Sequence, residues 1–178
     1  MIVLIGPSAS GKTAVGKYLE DTYNIKKVVT YTTRDKRIGE IDGVDYHFIS
    51  KDDFLNKLEN HFFFETMEYN NNFYGTSIES LKDDSYLILD ITGYNSYKMS
   101  NIKLIPFFLE TSKELRKSRM EKRKDDPLKI KERLELDDVK FNKDLLDDNV
   151  NIIPTDNLTI KEVGEKIYFI IKDLINGW

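Results

Sequence analysis

The amino-acid sequence predicts an α/β fold of three layers, in which helices cover a mostly parallel central sheet. Short apolar runs of strand length alternate with longer stretches of helical pattern along most of the chain. Strands that alternate with helices usually pair in parallel, because each crossover returns the chain to the same end of the sheet. The 178 residues, of which 40% are hydrophobic, can bury one substantial core. We therefore expect a single domain.

Five apolar runs rich in β-branched and aromatic residues predict buried strands. They are residues 1–5, 27–31, 86–91, 103–109 and 150–153. Five longer stretches predict helices, and a shorter helix is expected at residues 51–59. The longer stretches are residues 12–23, 92–100, 112–124, 129–146 and 159–175.

Two segments depart from this alternation. Residues 32–80 are rich in aromatic residues, asparagine and glycine, which indicates an inserted subdomain. Asp125, Asp126 and Pro127 interrupt two charged helical stretches, because proline is disfavoured inside a helix. We therefore expect residues 112–133 to form a hinged helical lid. The core then comprises residues 1–31, 81–111 and 134–178.

The composition excludes several classes of protein. Cysteine is absent, which rules out disulfides and thiolate metal sites and suits a reducing compartment, so we expect a cytoplasmic protein. The apolar run at the start is too short and lacks the basic leader of a signal peptide, and no later run approaches the roughly 20 residues of a membrane helix. A net charge of -4 argues against a general nucleic-acid binder. We expect no membrane or nucleic-acid partner, and either a monomer or a homodimer.

Residues 6–13, Gly-Pro-Ser-Ala-Ser-Gly-Lys-Thr, match the phosphate-loop pattern G-x-x-x-x-G-K-[ST] between a predicted strand and a predicted helix. Backbone N–H groups in such a loop surround the β-phosphate of a nucleoside triphosphate, and the helix N-terminus favours the anion. The lysine then reaches the β- and γ-phosphates, and the threonine hydroxyl binds Mg²⁺. The candidate residues for the nucleoside triphosphate are Gly6, Ser8, Ala9, Ser10, Gly11, Lys12 and Thr13.

Asp90 follows the apolar run Ser85-Tyr86-Leu87-Ile88-Leu89 and is the candidate for the second magnesium-binding group. Phosphate-loop enzymes place a carboxylate at the end of a buried strand for this purpose. The alternative is an ordinary aspartate that caps the helix after it.

The segment 30–46 sets two arginines, several hydroxyls and a tyrosine in a loop with two glycines. An arginine fork holds phosphate oxygens with two hydrogen bonds, and a tyrosine hydroxyl donates to the same group. These residue types therefore indicate an anion site. The alternative is a surface turn in which Asp35 and Glu40 form salt bridges with the arginines.

Arg116, Arg119 and Arg123 are spaced so that they share one face of a helix, and Arg133 follows the break at Pro127. A closing basic flap supplies positive charge around a transferred phosphoryl group and excludes water. The alternative is a solvated helix face, which we favour for Arg116.

The sequence resembles guanylate kinases. Their pattern T-T-R-x-x-R-x-G-E-x-x-G-x-D-Y is present at residues 32–46. Further similarities are Phe64-Glu65, the segment 72–77 and the pair Leu89-Asp90, each in family order. The resemblance is good over residues 1–134 and looser beyond.

The resemblance implies a phosphate-loop kinase fold with a GMP-binding subdomain at 32–80 and a lid at 112–133. It implies transfer of the γ-phosphoryl group from MgATP to GMP and dGMP. Two alternatives stay open. One is a kinase of another phosphorylated acceptor, either a different nucleotide or a sugar phosphate. The other is a guanylate-kinase-like binding module without catalysis.

The resemblance also assigns roles to individual residues. Arg34, Arg37, Tyr46 and Tyr74 bind the GMP phosphate, with Glu40 orienting the arginines. Thr30, Glu65 and Thr76 face the base, and Asp90 lies near GMP as well as the metal. Arg119 and Arg123 contact ATP. The catalytic candidates are Lys12, Arg37, Arg123 and Arg133.

Two positions differ from the family pattern. Thr92 stands where family members carry a second aspartate that reads the base. The segment Pro154-Thr155-Asp156-Asn157-Leu158 replaces the family's V-N-D-D-L, so we expect an altered adenine contact.

Overall fold

The structure is a computed structural model that describes residues 1–69, 71–98 and 100–176. Within these ranges the strands are β1 (Ile2–Ile5), β2 (Lys26–Lys27), β3 (Tyr31–Thr32), β4 (His47–Phe48), β5 (Phe63–Tyr69), β6 (Asn72–Ser77), β7 (Ser85–Leu89), β8 (Ile105–Glu110) and β9 (Asn151–Pro154). The helices are α1 (Lys12–Tyr23), α2 (Lys51–Glu59), α3 (Ile91–Lys98), α4 (Lys113–Lys122), α5 (Pro127–Lys140) and α6 (Ile160–Asn176).

Two sheets organise these elements. The central sheet has five parallel strands in the order β2-β7-β1-β8-β9. A second sheet of four strands has the order β4-β3-β6-β5 and is mostly antiparallel. It is built from the segment in which an inserted subdomain was predicted.

Side chains of β1 alternate between two apolar cores, because successive residues of a strand point to opposite faces. Ile2 and Leu4 pack on the face that α1 and α6 cover, where Val163 and Ile167 of α6 also lie. Val3 and Ile5 pack on the opposite face with α3. The predicted α/β fold of three layers with a mostly parallel sheet is therefore confirmed. No helix among the described residues combines the length and apolar character that a membrane crossing demands.

The predicted strand at residues 27–31 is wrong. The chain leaves the central sheet after β2 and enters the second sheet at β3, so the apolar run divides between two sheets. Val28 still donates to the Tyr86 carbonyl oxygen at 2.8 Å, whereas the Thr30 carbonyl oxygen accepts from the His47 N–H at 2.9 Å. The apolar pattern of residues 27–31 looks the same in either sheet, so it cannot show where the chain passes from one sheet to the other.

The predicted helix at residues 129–146 also needs correction. It begins two residues earlier, because the Asp126 side chain accepts from the Leu128 and Lys129 N–H groups and Pro127 occupies the first turn. It ends at Lys140, after which Asn142 caps a short 3₁₀ turn at Lys143–Leu145. The predicted helix break at Pro127 is confirmed.

Candidate active site

The phosphate loop lies between β1 and α1, at the carboxyl end of β1, where parallel α/β sheets bind ligands. Gly11 precedes α1 with a φ of 104° and contributes no side-chain cap, which leaves the helix N-terminus available to an anion. At Gly6 a Cβ atom would lie 2.9 Å from the Leu109 carbonyl oxygen, so this tight turn requires glycine. The strand and helix predicted around the motif are confirmed.

The Lys12 side chain contacts the backbone of the phosphate loop. Its Nζ donates to the carbonyl oxygens of Gly6 at 2.6 Å and Pro7 at 2.8 Å. Burial lowers the pKa of Lys12 to about 8, while the Asp137 carboxylate opposes that effect. A phosphate bound in the loop would favour the charged form of this lysine.

Asp90 directly follows β7. Its Oδ1 accepts a hydrogen bond from the Gly93 N–H at 2.7 Å and so caps α3. The cap that we considered as the alternative is therefore present. Asp90 also lines the same cavity as Thr13.

One cavity of about 260 Å³ collects most of the predicted site residues. Those that line it are Gly6, Ser8, Ala9, Lys12, Thr13, Thr30, Arg34, Arg37, Tyr46, Glu65, Tyr74, Asp90, Arg123 and Arg133. Glu40 lines a cavity of about 130 Å³ that shares Thr13 and Arg34 with the first. Ser10, Thr76 and Arg119 each contact a lining residue instead.

Arg34 and Glu40 form a half-buried ion pair. The Arg34 Nη2 donates to both carboxylate oxygens of Glu40, at 2.8 and 3.0 Å. The same carboxylate accepts from the Arg37 backbone N–H at 2.7 Å. The salt-bridged turn considered above is therefore present for Glu40, and it also holds both arginines at the cavity.

Aromatic rings also lie next to Arg34. The Arg34 guanidinium lies 5.5 Å from the centroid of the Tyr46 ring, and Tyr46 meets Tyr74 edge to face at 6.1 Å. Burial raises the pKa of the Tyr46 hydroxyl, which stays a hydrogen-bond donor near neutral pH.

Glu65 is a buried carboxylate at the cavity wall. Its Oε1 accepts from the Thr76 hydroxyl at 2.7 Å, whereas its Oε2 is buried without a hydrogen-bond partner among the described residues. Burial raises the pKa of Glu65 to about 7; the Thr76 hydrogen bond acts against this and the Asp90 charge adds to it. An unpaired buried carboxylate oxygen is costly, so this site is suited to a ligand that supplies N–H donors.

Arg123 and Arg133 meet at one carboxylate. Arg123 ends α4 and Arg133 lies on α5, and they donate to Asp125 Oδ2 at 2.6 and 3.2 Å. Burial and then the charges of Arg34 and Arg133 lower the pKa of Arg37, which indicates how closely the guanidiniums gather. Arginines of the predicted lid and of the predicted acceptor loop therefore line one cavity.

Arg116 contradicts our interpretation of a solvated helix face. It is only 5% exposed, and its Nη1 donates to Asp137 Oδ2 at 3.2 Å. Arg119 donates to the Ala9 carbonyl oxygen at 2.9 Å and so contacts the phosphate loop. The charge pattern of α4 alone could not reveal the distant carboxylate that accepts Arg116.

Sequence reasoning missed Asp137, which lines the main cavity and is 1% exposed. A signal for it was available, because Ile130, Leu134 and Asp137 follow the spacing of one buried helix face. A charged residue on an apolar face requires a partner inside the protein. Tyr69 was missed as well, and it lines the same cavity.

The chain matches known proteins of one kind. A family model described as guanylate kinase matches residues 1–151. The guanylate kinase of Wolinella succinogenes is 32% identical over 199 aligned residues, which cover 100% of this chain and 91% of that protein. The guanylate kinase of Helicobacter hepaticus is 34% identical over 72% of this chain and 68% of its own length.

The chain belongs to the guanylate kinase family. The crystal structure of guanylate kinase from Anaplasma phagocytophilum superposes with a TM-score of 0.72 at 28% identity, covering 97% of this chain and 84% of that one. The resemblance drawn from the motifs is thus confirmed, and with it the expectation of an enzyme.

The structure shows the contacts of Thr92 and Thr155, which lie where the chain differs from the family pattern. Thr92 is exposed on α3, and its carbonyl oxygen accepts from Ser96 Oγ at 3.3 Å. Thr155 is buried, and its hydroxyl shares a hydrogen bond of 2.6 Å with Thr111. Thr111 in turn reaches the Ser10 carbonyl oxygen at 3.3 Å. The altered segment after β9 is therefore linked to the phosphate loop through two threonines.

Proposed function

We propose that this enzyme transfers the γ-phosphoryl group of ATP to GMP, with Mg²⁺ bound to the donor. The observation that carries the proposal is a single cavity lined by the phosphate loop, by Arg34 and Arg37, and by the buried carboxylate of Glu65. It offers a donor site, an acceptor phosphate site and a base site. We propose dGMP as a second acceptor, because the assigned residues address only the phosphate and the base.

Guanine suits the Glu65 carboxylate chemically. The guanine N1–H and exocyclic amine present two adjacent donors, and an ionised carboxylate accepts both. Adenine lacks the N1–H, so it would leave one carboxylate oxygen unpaired in a buried place. Because Thr76 already donates to Oε1, guanine would complete the hydrogen bonding of Oε2.

We assign an electrostatic role to Lys12 and to the four arginines of the cavity. The phosphate of GMP is already an anionic nucleophile near neutral pH, so the enzyme has to align two anions and neutralise their repulsion. We assign Arg34 and Arg37 to the acceptor phosphate and Arg123 and Arg133 to the transferred group. No general base is required by this chemistry.

The residues at the loop fit a magnesium ion. Mg²⁺ prefers oxygen ligands and is usually held by one or two protein groups together with substrate phosphates. The Thr13 hydroxyl and the Asp90 carboxylate supply such oxygens on one cavity, and the described residues hold no cluster of three metal-binding side chains. When bound, the ion would withdraw charge from the β- and γ-phosphates.

We propose a cytoplasmic enzyme whose partners are the two nucleotides, without nucleic acid or membrane, working as a monomer or a homodimer. The absence of cysteine supports the reducing cytoplasm as the location, and the acidic net charge argues against a nucleic-acid partner. The two alternative functions are not favoured. The intact Lys12 and Thr13 argue against a module without catalysis, and the buried Glu65 argues against a sugar phosphate.

The experiment that tests the proposal is a coupled ADP-release assay. MgATP is offered with GMP, dGMP, AMP, UMP, CMP and ribose phosphate, and the Lys12→Ala variant serves as the blank. We expect turnover with GMP and dGMP only. Turnover with another acceptor would overturn the assignment of Glu65, and no turnover with any acceptor would overturn the assigned reaction.

A further inference from the structure

The phosphate loop contains a turn that the protein holds in an unfavourable conformation. Ala9 has a φ of 61°, in the left-handed region that residues other than glycine rarely adopt. Such a conformation persists only where surrounding contacts enforce it. Ala9 packs beside Met120 of α4 and both Ile130 and Leu134 of α5, so these helices lie directly against the turn.

Two hydrogen bonds enclose the turn at Ala9. On one side the Ser8 N–H donates to Asp137 Oδ2 at 2.8 Å. On the other side the Arg119 guanidinium donates to the Ala9 carbonyl oxygen at 2.9 Å. Asp137 belongs to α5 and Arg119 to α4, so each helix fixes one peptide group of the loop.

Asp137 is held in turn by a buried partner. Arg116 donates to the same Oδ2 oxygen that accepts from Ser8, and the two side chains are 6% and 1% exposed. Its second guanidinium nitrogen, Nη2, donates to Asp138 at the surface. A buried ion pair adds little net stability, because desolvation offsets most of the attraction between the charges. The value of this pair therefore lies in the geometry that it imposes.

We propose that Asp137 is a positioning residue for the phosphoryl donor. Its carboxylate, oriented by Arg116, holds the Ser8 amide and so keeps the Ala9 turn in the shape that accepts the phosphates of ATP. Asp137 lines the same cavity as Lys12, which places it beside the donor phosphates rather than in a remote core. The inference rests on the proposed function for the identity of the donor.

The test compares two double variants that differ only in the acceptor oxygen. Arg116→Met with Asp137→Ala removes the buried charges together with the acceptor. Arg116→Met with Asp137→Asn removes the charges but keeps an oxygen for Ser8. Binding of ADP and of GMP is measured by titration calorimetry on the full chain. We expect the alanine variant to bind ADP about tenfold more weakly with GMP binding unchanged, and the asparagine variant to bind ADP only about threefold more weakly, because Ser8 keeps an acceptor that Arg116 no longer orients.

Several results would overturn the proposal. One is native ADP binding by the alanine variant, and another is an equal loss for ADP and GMP, which indicates general distortion. If the alanine variant does not fold, the variant that combines Arg116→Met with Asp137→Asn is decisive, since tenfold weaker ADP binding despite its retained oxygen would contradict the role of the Ser8 contact. Asp138→Asn is the matched control, because it touches the same Arg116 but not the loop. Since ADP binding is read without turnover, failure of the proposed reaction is detected separately.

Discussion

Replacing Glu65 by glutamine tests how guanine is selected. Glutamine keeps the size of the side chain and one acceptor oxygen, so Thr76 can still donate to it. The second group becomes an N–H₂ donor, which would face a donor of guanine instead of accepting from it. Losing one charge-assisted hydrogen bond and leaving two donors unpaired costs about 3 kcal/mol, or roughly a hundredfold in affinity.

The raised pKa of Glu65 predicts a pH dependence of GMP binding that the same variant should remove. Burial raises this pKa to about 7, so the ligand-free carboxyl is largely protonated below neutral pH and ionised above it. Only the ionised form accepts both guanine donors. The KM for GMP should therefore rise as the pH falls below about 7, by up to tenfold for each pH unit, whereas the glutamine variant should show only the smaller rise that protonation of the GMP phosphate produces below about pH 6.

The assay is steady-state turnover with MgATP held saturating, from pH 5.5 to 8.5, for the native enzyme and for Glu65→Gln. We expect the KM for GMP to increase about a hundredfold at pH 8 in the variant, with the KM for ATP within about threefold of its native value. Equal increases in both KM values would refute base recognition by Glu65. A native pH profile that does not change across pH 7 would refute the role of its ionisation.

The structure supports three further predictions. Lys12→Ala should lower kcat by about 10³-fold with an unchanged circular dichroism spectrum, because this side chain acts on phosphates; near-native turnover would contradict the mechanism. Arg116→Leu should destabilise the enzyme by about 3–5 kcal/mol in denaturant unfolding, since Asp137 would remain as an unpaired buried charge, and a loss below about 1 kcal/mol would show that the pair is dispensable. Gly16→Ala should destabilise by at least about 1–3 kcal/mol, because its Cβ would lie 2.4 Å from the buried Tyr86 ring; unchanged stability would mean that the ring moves freely.

The parts of the fold that sequence patterns predicted are those with a local physical cause. The phosphate loop was identified because glycine, lysine and threonine occur at a spacing that one strand-to-helix turn imposes. The break at Pro127 was predicted because proline cannot continue a helix, and Asp126 caps the helix that follows. Each of these features depends on residues that are close together in the sequence.

What the sequence did not reveal depends on contacts between distant segments. The second sheet pairs β3 with β6 across roughly forty residues, and its strands β3 and β4 have only two residues each. So short a strand has no periodicity of its own, and its pairing is set by the segment that reaches it. Arg116 and Asp137 are 21 positions apart, and either charge alone resembles a solvated residue.

The arginines of the cavity and the Glu65 carboxylate differ in how they are paired, and in the proposed function this difference separates affinity from selectivity. Arg34 is paired with Glu40, and Arg123 and Arg133 share Asp125, so carboxylates hold these three guanidiniums at the cavity. When a phosphate group binds, it can replace such a carboxylate as the partner of an arginine. Any phosphorylated acceptor carries this group, so the arginines do not distinguish one acceptor from another. Glu65 instead carries a buried oxygen that has no partner in the described structure. In the proposed function a ligand with adjacent N–H donors removes that cost, so we expect the discrimination among nucleotides to arise at Glu65 and not at the arginines.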